Sequence, residues 1–482
     1  MNRRRVVVAA VGAVAALYYA ACSLLLHYSF HSNGWDLGLI HQVAWNTGEG
    51  RWFAYSFRDM SYSGDHWQPV VVLLAPLGWV GERVGGGPTP LLLAQALALG
   101  GAVVPLYAAA RALAGERVAW GAVTAYVLSL GVARAVAFDF HTEAFAPLLA
   151  FGALWALAAG RRPWFAAAVV GALLLREDGV LLALALCWVA WLAFGWRRAP
   201  AALAAASLGY AGWVWLWLIP RYRGDEPNPF VERYGYLGDG VGEVVLHLVT
   251  RPGLAFEQLA QRGPLEALAL VLLSGALLPL LAPRLLPALA LVVAPSLLSQ
   301  HGPQGALQLH YMVVPQAVAI VLAVVALRGP GGWVWRRGAA VGVAWVGVAL
   351  VVFAARSPLP PSFAAEPGRF AVDAHARVAR SFVGAVPAGA TVSAQSPFVA
   401  HLAARERIYQ FPRVLDAAYV LLDAYGPIPR DDLDAGYEAC RAALPWLGFE
   451  LVREEDGITL WRRAREAERV REVEVWCSGQ RD

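Results

Sequence analysis

Five short polar clusters interrupt a strongly apolar chain, and their residue types are those that move protons or hold cations. The first is Gly34-Trp35-Asp36-Leu37-Gly38, continuing through Gln42, Trp45 and Asn46. The second is Asp65-His66-Trp67-Gln68-Pro69, the third Asp139-Phe140-His141-Thr142-Glu143, and the fourth Arg176-Glu177-Asp178-Gly179. A looser fifth set comprises His301 and His310-Tyr311. Carboxylates and imidazoles gathered at one mouth of a helical bundle suit proton transfer or ligation of a divalent cation. If Glu143 opens a helix, Asp139 lies one turn away and can face the same side.

A simpler explanation competes. Asp36, Asp139 or Thr142, and Asp178 all fall where a helix is expected to begin. There Asp and Thr accept from unpaired amides, and a carboxylate complements the helix dipole, for roughly 1 kcal/mol. A cap needs one acceptor, however. The third cluster supplies Asp139, His141 and Glu143, and the fourth places Glu177 beside Asp178. His66 and His141 cap nothing.

The elements that must position these clusters are long apolar runs. Hydrophobic residues make up 58% of the 482 and charged residues only 15%, which excludes an ordinary soluble domain. About 20 consecutive apolar residues cross the hydrocarbon core as a helix, because lipid leaves the backbone no other hydrogen-bonding partner. Spans are expected near 6–27, 89–111, 118–136, 144–160, 163–176, 179–195, 200–219, 265–283, 285–300, 310–327 and 333–355. The run 163–176 is the shortest and is compatible with a re-entrant segment. The basic start at 1–5 resembles that of a signal peptide, but the following apolar run is too long and lacks a cleavage pattern. It reads as an uncleaved first span.

Arginine sets the orientation, since the sequence contains no lysine. With the N-terminus inside, the inner breaks carry Arg111 and Arg117, Arg161 and Arg162, Arg197 and Arg198, Arg284, and Arg328, Arg336 and Arg337. Glu116 is the one acid among them, as the enrichment of Arg in cytoplasmic loops requires. Treating 70–84 as a further span would reverse this pattern. That segment holds Pro76, Glu82 and Arg83 and reads as a helix lying on the outer surface. The chain is thus expected to be an α-helical polytopic membrane protein of about 11 spans, N-terminus in and C-terminus out. The net charge of +4 is dispersed, with no basic stripe of the kind that binds nucleic acid.

Two domains are expected: a membrane domain over 1–355, with outer loops 28–88 and 220–264, and an extracytoplasmic α/β domain over 356–482. In the tail, 370–383 has helical spacing, and 390–394, 407–411 and 418–423 read as strands. Residues 433–447 read as a helix, and 449–453 and 458–462 form a hairpin about Asp456-Gly457. The end from 464 is charge-rich. Cys440 and Cys477 fall in this tail, where an oxidising compartment permits a disulfide, with two free thiols as the alternative. The loop 220–264 carries Tyr222, Phe230, Tyr234 and Tyr236 and an amphipathic stretch over 241–248, suited to covering a pocket or anchoring at the interface. Ionisable residues are almost absent between span ends, whereas transporters place them near the midplane.

The pattern of a first span, an outer loop opening on Asp, and a second outer loop with an acidic pair resembles the GT-C superfamily of membrane glycosyltransferases. In its finer motifs the chain is similar to the predicted-membrane-protein family named domain of unknown function 2079. The residues that carry this likeness are Asp36-Leu37-Gly38, Gln42-Val43-Ala44-Trp45-Asn46, His66-Trp67-Gln68-Pro69, Asp139-Phe140-His141-Thr142-Glu143 and Arg176-Glu177-Asp178. In the tail, Ser393-Ala394-Gln395 and Ile408-Tyr409-Gln410-Phe411-Pro412 add to it.

The superfamily resemblance implies inverting transfer of a sugar from a polyprenyl-phosphate carrier to a cell-envelope acceptor, at the outer face of the plasma (inner) membrane. It implies Asp36 as the general base, with Asp139 or Glu143 as an alternative, or with His141 as ligands of a divalent metal such as Mg or Mn. The departing phosphate needs positive charge, for which Arg221, Arg223, His66, His301 and His310 are candidates. Arg221 and Arg223 can equally be anchors that snorkel at a span end. His141, Glu177, Asp178, Tyr311, Gln42 and Trp45 complete the expected substrate-binding set. Two other classes stand beside this reading: a non-catalytic membrane scaffold, and a transporter or lipid flippase.

Overall fold

The computed structural model describes residues 3–226, 228–328, 338–425 and 435–464. Six described helices are long and apolar enough to cross a membrane: Arg3–Tyr28, Thr89–Ala114, Glu116–Ala137, Arg198–Arg223, Gly302–Ala326 and Gly338–Arg356. Shorter apolar helices cover Thr142–Ala158, Arg162–Leu175, Gly179–Phe194 and Pro283–Leu297. Each overlaps a run expected from hydropathy. The start of the last expected span, with Arg336 and Arg337, lies outside the described residues.

One expected span is not a continuous helix. The run 265–283 forms a helix over Arg262–Ser274 and then breaks into two short 3₁₀ turns, Leu278–Leu281 and Pro283–Leu285. Ala276 and Leu277 take left-handed backbone angles (φ 49° and 59°). A Cβ at Gly275 would lie 2.9 Å from Pro279 Cδ and 3.1 Å from the Ala319 carbonyl oxygen. Leucine-rich composition signals a helix here, and Pro279 and this close approach override it.

The chain divides into two compact units. The first comprises Met1–Ala20, His66–Pro69 and Ala94–Glu366; the second comprises Ala21–Asp65, Val70–Leu93 and Pro367–Asp482. Most of the first outer loop therefore groups with the C-terminal tail, whereas hydropathy alone attaches it to the helical block.

The first unit is a helical bundle. Its helices approach closely where side chains are smallest: a Cβ on Gly12 would sit 2.8 Å from the Gly100 carbonyl oxygen, and one on Gly121 3.0 Å from Gly342 Cα. Small residues of this kind allow close van der Waals packing, which drives helix association in lipid. The helix Val313–Ala326 is buried along most of its length. Polar groups inside the bundle are spent on backbone: Trp345 Nε1 donates to the Ser274 carbonyl (2.7 Å), Tyr126 OH to that of Leu99 (2.8 Å), and Arg134 Nη1 to that of Leu307 (2.8 Å).

The second unit is built on a five-stranded sheet. Its strands are β1 (Val392–Ala394), β2 (Ile408–Gln410), β3 (Tyr419–Asp423), β4 (Phe449–Glu455) and β5 (Ile458–Arg463), in the order β2-β1-β3-β5-β4. β1 pairs in parallel with β2 and β3, while β5 runs antiparallel to β3 and β4. Asp456 and Gly457 both take positive φ (50° and 76°), the requirement of a two-residue primed hairpin turn.

The helix Ala374–Ala385 is capped by Asp373, whose carboxylate accepts from the Ala376 amide at 2.8 Å. Phe411, Leu422, Leu444 and Phe449 lie in the core against the helix Ala435–Ala443. The first two residues of the helix expected over 433–447, and the charge-rich end beyond 464, lie outside the described residues. Cys22 and Cys187 are free and buried. Cys440 is fully buried, whereas Cys477, and with it the expected pairing, lies outside the described residues.

Candidate functional site

In the helical unit, four of the polar clusters converge. Arg176 leaves the end of Arg162–Leu175 and pairs through Nη1 with Glu143 Oε1. Through Nε it donates to Asp178 Oδ1 (2.9 Å), and through Nη2 it also bonds Asp178 Oδ2. The carboxylates of Asp178 and Glu143 offset the cost of burying this guanidinium. Arginine suits this place because its planar fork engages two carboxylates at once.

Glu177 turns the other way. Its Oε1 accepts from His66 Nδ1 at 2.8 Å and its Oε2 from the Trp67 amide at 3.0 Å. Trp67 Nε1 donates to Tyr210 OH (2.7 Å), which donates onward to the Leu173 carbonyl (3.3 Å). His66 also lies 4.6 Å, centroid to centroid, from Phe230, and the Arg233 guanidinium sits 4.7 Å over that ring.

On the opposite side of Glu143, His310 Nε2 lies 3.7 Å from Oε1. Its ring stacks on His141 with centroids 3.6 Å apart, and Phe138 lies against both imidazoles. The segment between is fixed by Gln95, whose Nε2 donates to the Asp139 carbonyl (2.7 Å) while its Oε1 accepts from the His141 amide (2.9 Å). Asp139 takes a left-handed conformation (φ 55°), which Asp tolerates better than most residues. Thr142 Oγ1 donates to the Leu175 carbonyl (2.9 Å), tying this loop to the helix that delivers Arg176.

The capping explanation fails at the acids. The residue at the N-cap of the turn Gly34–Gly38 is Asn33, which accepts from the Trp35 amide; His141 and Asp178 occupy N-cap positions without a side-chain cap bond. Asp178 is spent on Arg176.

A partly open pocket of about 60 Å³ adjoins this network. Glu143, Arg176, Asp178, His310 and Tyr311 give it a charged and aromatic wall; Leu175, Leu181, Leu182, Val292, Val314 and Pro315 give it an apolar one. Arg221 is exposed, Arg223 is buried at the end of its helix, and His301 is half-buried at the start of the turn Gly302–Gly305.

Asp36 belongs to the second unit. It is half-buried within a π turn, Gly34–Gly38, a form that appears frequently at functional sites. The flanking glycines have a packing reason: a Cβ on Gly34 would lie 2.6 Å from Gln410 Oε1, and one on Gly38 3.0 Å from Val399 Cγ1. Ser396 Oγ accepts from the Gly34 amide (2.8 Å) and donates to Asn33 Oδ1 (3.1 Å).

Gln42, expected in the substrate-binding set, also lies in the second unit. It is fully buried; its amide nitrogen donates to Ser56 Oγ and the carbonyls of Arg405 and Glu406, and its oxygen accepts from the Ser56 amide. These bonds tie the first outer loop to the 405–406 backbone. Trp45, half-buried, stacks under Arg51 at 4.8 Å.

Among the described residues, no three His, Cys, Asp or Glu side chains are placed to hold a metal ion together. Of the residues expected as ligands, Glu143 turns to Arg176 and the His141 ring to that of His310.

Gln95, Tyr210 and Phe138 escaped sequence reasoning. For Gln95 a signal existed: an amide inside an apolar run is expensive unless it has work to do. Tyr210 and Phe138 offered none.

The sequence model of the predicted membrane proteins DUF2079 matches residues 26–432. No curated protein matches the chain. Among solved structures, the chain is similar to ArnT from Cupriavidus metallidurans bound to undecaprenyl phosphate, at 17% identity and a TM-score of 0.48, over 94% of this chain and 99% of that one. It is also similar to ArnT from the same organism in the apo state, at 13% identity and 0.46, over 93% and 97%.

Proposed function

The chain belongs to the DUF2079 family of predicted membrane proteins, and we propose that it is an inverting glycosyltransferase. On this reading it takes a sugar from a polyprenyl-phosphate carrier at the extracytoplasmic membrane face and passes it to a cell-envelope acceptor. One observation carries the reading: a pocket whose charged wall of Glu143, Arg176, Asp178 and His310 faces an apolar wall of Leu, Val and Pro. A ligand with an ionic head and a hydrocarbon tail has the same division.

Inverting transfer needs a base for the acceptor hydroxyl and positive charge for the departing phosphate. Arg176, already held between two carboxylates, is the pre-oriented cation. Asp36 is the base by its resemblance to the GT-C pattern and by its place in a π turn. Asp139 and Glu143 remain the alternatives; Glu143 would first exchange its bond to Arg176. The topology that goes with this chemistry has about 11 spans in the plasma membrane, the arginine-bearing breaks inside, and the α/β tail outside.

The test is transfer by purified, lipid-reconstituted protein from a panel of labelled polyprenyl-phosphate sugars, with and without a chelator of divalent ions. Transfer by wild type, lost in folded Asp36→Asn or Glu143→Gln, supports the reading. Release of no lipid phosphate from any donor overturns it. Asp36→Asn that is fully active removes Asp36 as the base.

A further inference from the structure

We infer that one end of the helical unit, rich in exposed arginine, is a binding surface for the headgroups of anionic phospholipids. The surface is separate from the pocket and does not depend on the glycosyl-transfer reading. The Arg162 guanidinium lies 5.6 Å from the centre of the Trp196 ring, and Phe165 packs edge-on to the same indole at 5.7 Å. The start of the helix Arg162–Leu175 therefore adjoins the connection that carries Arg197 and Arg198. Arg328 donates to the Ala193 carbonyl, and its guanidinium sits 4.4 Å over the Phe194 ring. That brings the end of the helix Gly302–Ala326 to the same place. Trp188 Nε1 donates to the Arg284 carbonyl at 3.0 Å, which draws in the start of the helix Leu286–Leu297.

Arg161, Arg162, Arg197, Arg198, Arg284 and Arg328 are all exposed. The segments that carry them offer no counter-charge: Asp and Glu are absent from 144–176, 179–224 and 267–365. Glu116, the acid of the break at 111–117, is engaged by Tyr107 OH at 2.8 Å, Arg111 Nε at 3.2 Å and Arg4 Nη1 at 3.5 Å. Cations at the start of a helix also oppose its dipole, and the helices beginning at Arg162 and Arg198 have no acid in their first turn. Orientation in the membrane accounts for arginine in these breaks. It asks only for charge, however, and does not need the guanidiniums gathered around shared aromatic rings. A cluster left uncompensated by the protein is stabilised by an anion from outside it.

A phosphodiester headgroup supplies that anion. A guanidinium engages two phosphate oxygens through paired N–H donors, and basic surfaces between membrane helices take up acidic headgroups. Trp164 and Trp191 are exposed on the same helices. Indoles of this kind settle at headgroup level beside the acyl chains, an environment that a lipid provides and a free phosphate ion does not. With the arginine-bearing breaks inside, as in the topology proposed above, the leaflet concerned is the cytoplasmic one. Arg176 stands at the other end of the helix that Arg162 begins, about 20 Å away at 1.5 Å per residue.

The test is displacement of a fluorescent phosphatidylglycerol from the detergent-purified full chain by phosphatidylglycerol, phosphatidylcholine or inorganic phosphate. Wild type should prefer phosphatidylglycerol to phosphatidylcholine by at least about 10-fold, since each basic residue near an acidic surface contributes about 5-fold. Arg162→Gln/Arg198→Gln leaves Arg161 and Arg197 to orient the chain and should lose that preference. Arg251→Gln/Arg262→Gln removes the same charge from exposed positions outside the cluster and should keep it. If the first double variant does not fold, Arg162→Gln alone carries the test, with an expected loss of about 5-fold.

No preference in wild type overturns the surface. So does an undiminished preference in the variants of the cluster, or an equal loss in the control pair, which would make net charge the cause. Inorganic phosphate that displaces the probe as well as phosphatidylglycerol does would overturn the assignment to lipid.

Discussion

Glu143 and Arg176, thirty-three positions apart in sequence, form a buried ion pair at the wall of the pocket. The pair joins the start of one short apolar helix to the end of the next, and Thr142 reinforces the junction through the Leu175 carbonyl. Its burial has a consequence for stability.

Removing one partner of a buried pair leaves an uncompensated charge and typically costs about 3–5 kcal/mol. Arg176→Leu is therefore expected to lower the thermal stability of the detergent-solubilised protein sharply. Arg176→Lys keeps the charge but loses the fork across Asp178 and should fall between. If Arg176→Leu melts with wild type, the network contributes nothing to the fold.

Asp36 and Asn33 should separate by assay. Asn33 carries the cap bond to the Trp35 amide, so Asn33→Ala should cost about 1 kcal/mol. Asp36→Asn makes a near-isosteric change at a half-buried position and should stay within about 0.5 kcal/mol of wild type while abolishing transfer. Equal thermal losses in both variants would make Asp36 a structural residue.

The glycines flanking Asp36 are packing residues. Gly34→Ala brings a Cβ within 2.6 Å of Gln410 Oε1 and 2.9 Å of Val399 Cβ, an overpacking expected to cost about 1–3 kcal/mol. Gly209→Ala, on an exposed helix face with nothing within 4 Å of the new Cβ, should be neutral or gain up to about 1 kcal/mol. Chemical denaturation of the two variants side by side decides this.

The C-terminal unit has histidines of opposite pH character. Burial lowers the pKa of His375, but hydrogen bonds to Asp423 and Asp456, both at 2.8 Å, reverse this and leave it raised above 6.5. The stabilisation from this link is complete below pH 6.5 and is lost as pH rises through the raised value. His401 is buried against His27, with ring centroids 4.0 Å apart, and burial pushes its pKa down to about 3. Its folded state rejects the proton, so stability falls as pH drops from 6.5 toward 3. Melting curves from pH 4 to 9 should therefore flatten on the alkaline side in His375→Gln and on the acid side in His401→Phe. Unchanged slopes in both variants would overturn the assignment.

Much of this architecture could be read before any coordinates. Apolar runs become helices because lipid forces each backbone group to bond within its own segment, a local constraint that composition reveals. The Asp456-Gly457 hairpin was equally legible, since both of its residues must take positive φ. Arg262–Ser274 ended early for a reason composition conceals: Pro279 and the close approach of Gly275 to Ala319 are matters of a neighbouring helix.

The site divides in the same way. The sequence alone determined which residue types stand at span ends, and that a lone cap could not account for them. Only the tertiary structure decided that Glu177 bonds His66, that Glu143 faces Arg176, and that Gln42 is bonded to Ser56 and the 405–406 backbone. The physical reason is range. A carboxylate's partner is chosen by whichever donor the packing brings within about 3 Å, and donors 111 or 363 positions away leave no mark on the local pattern.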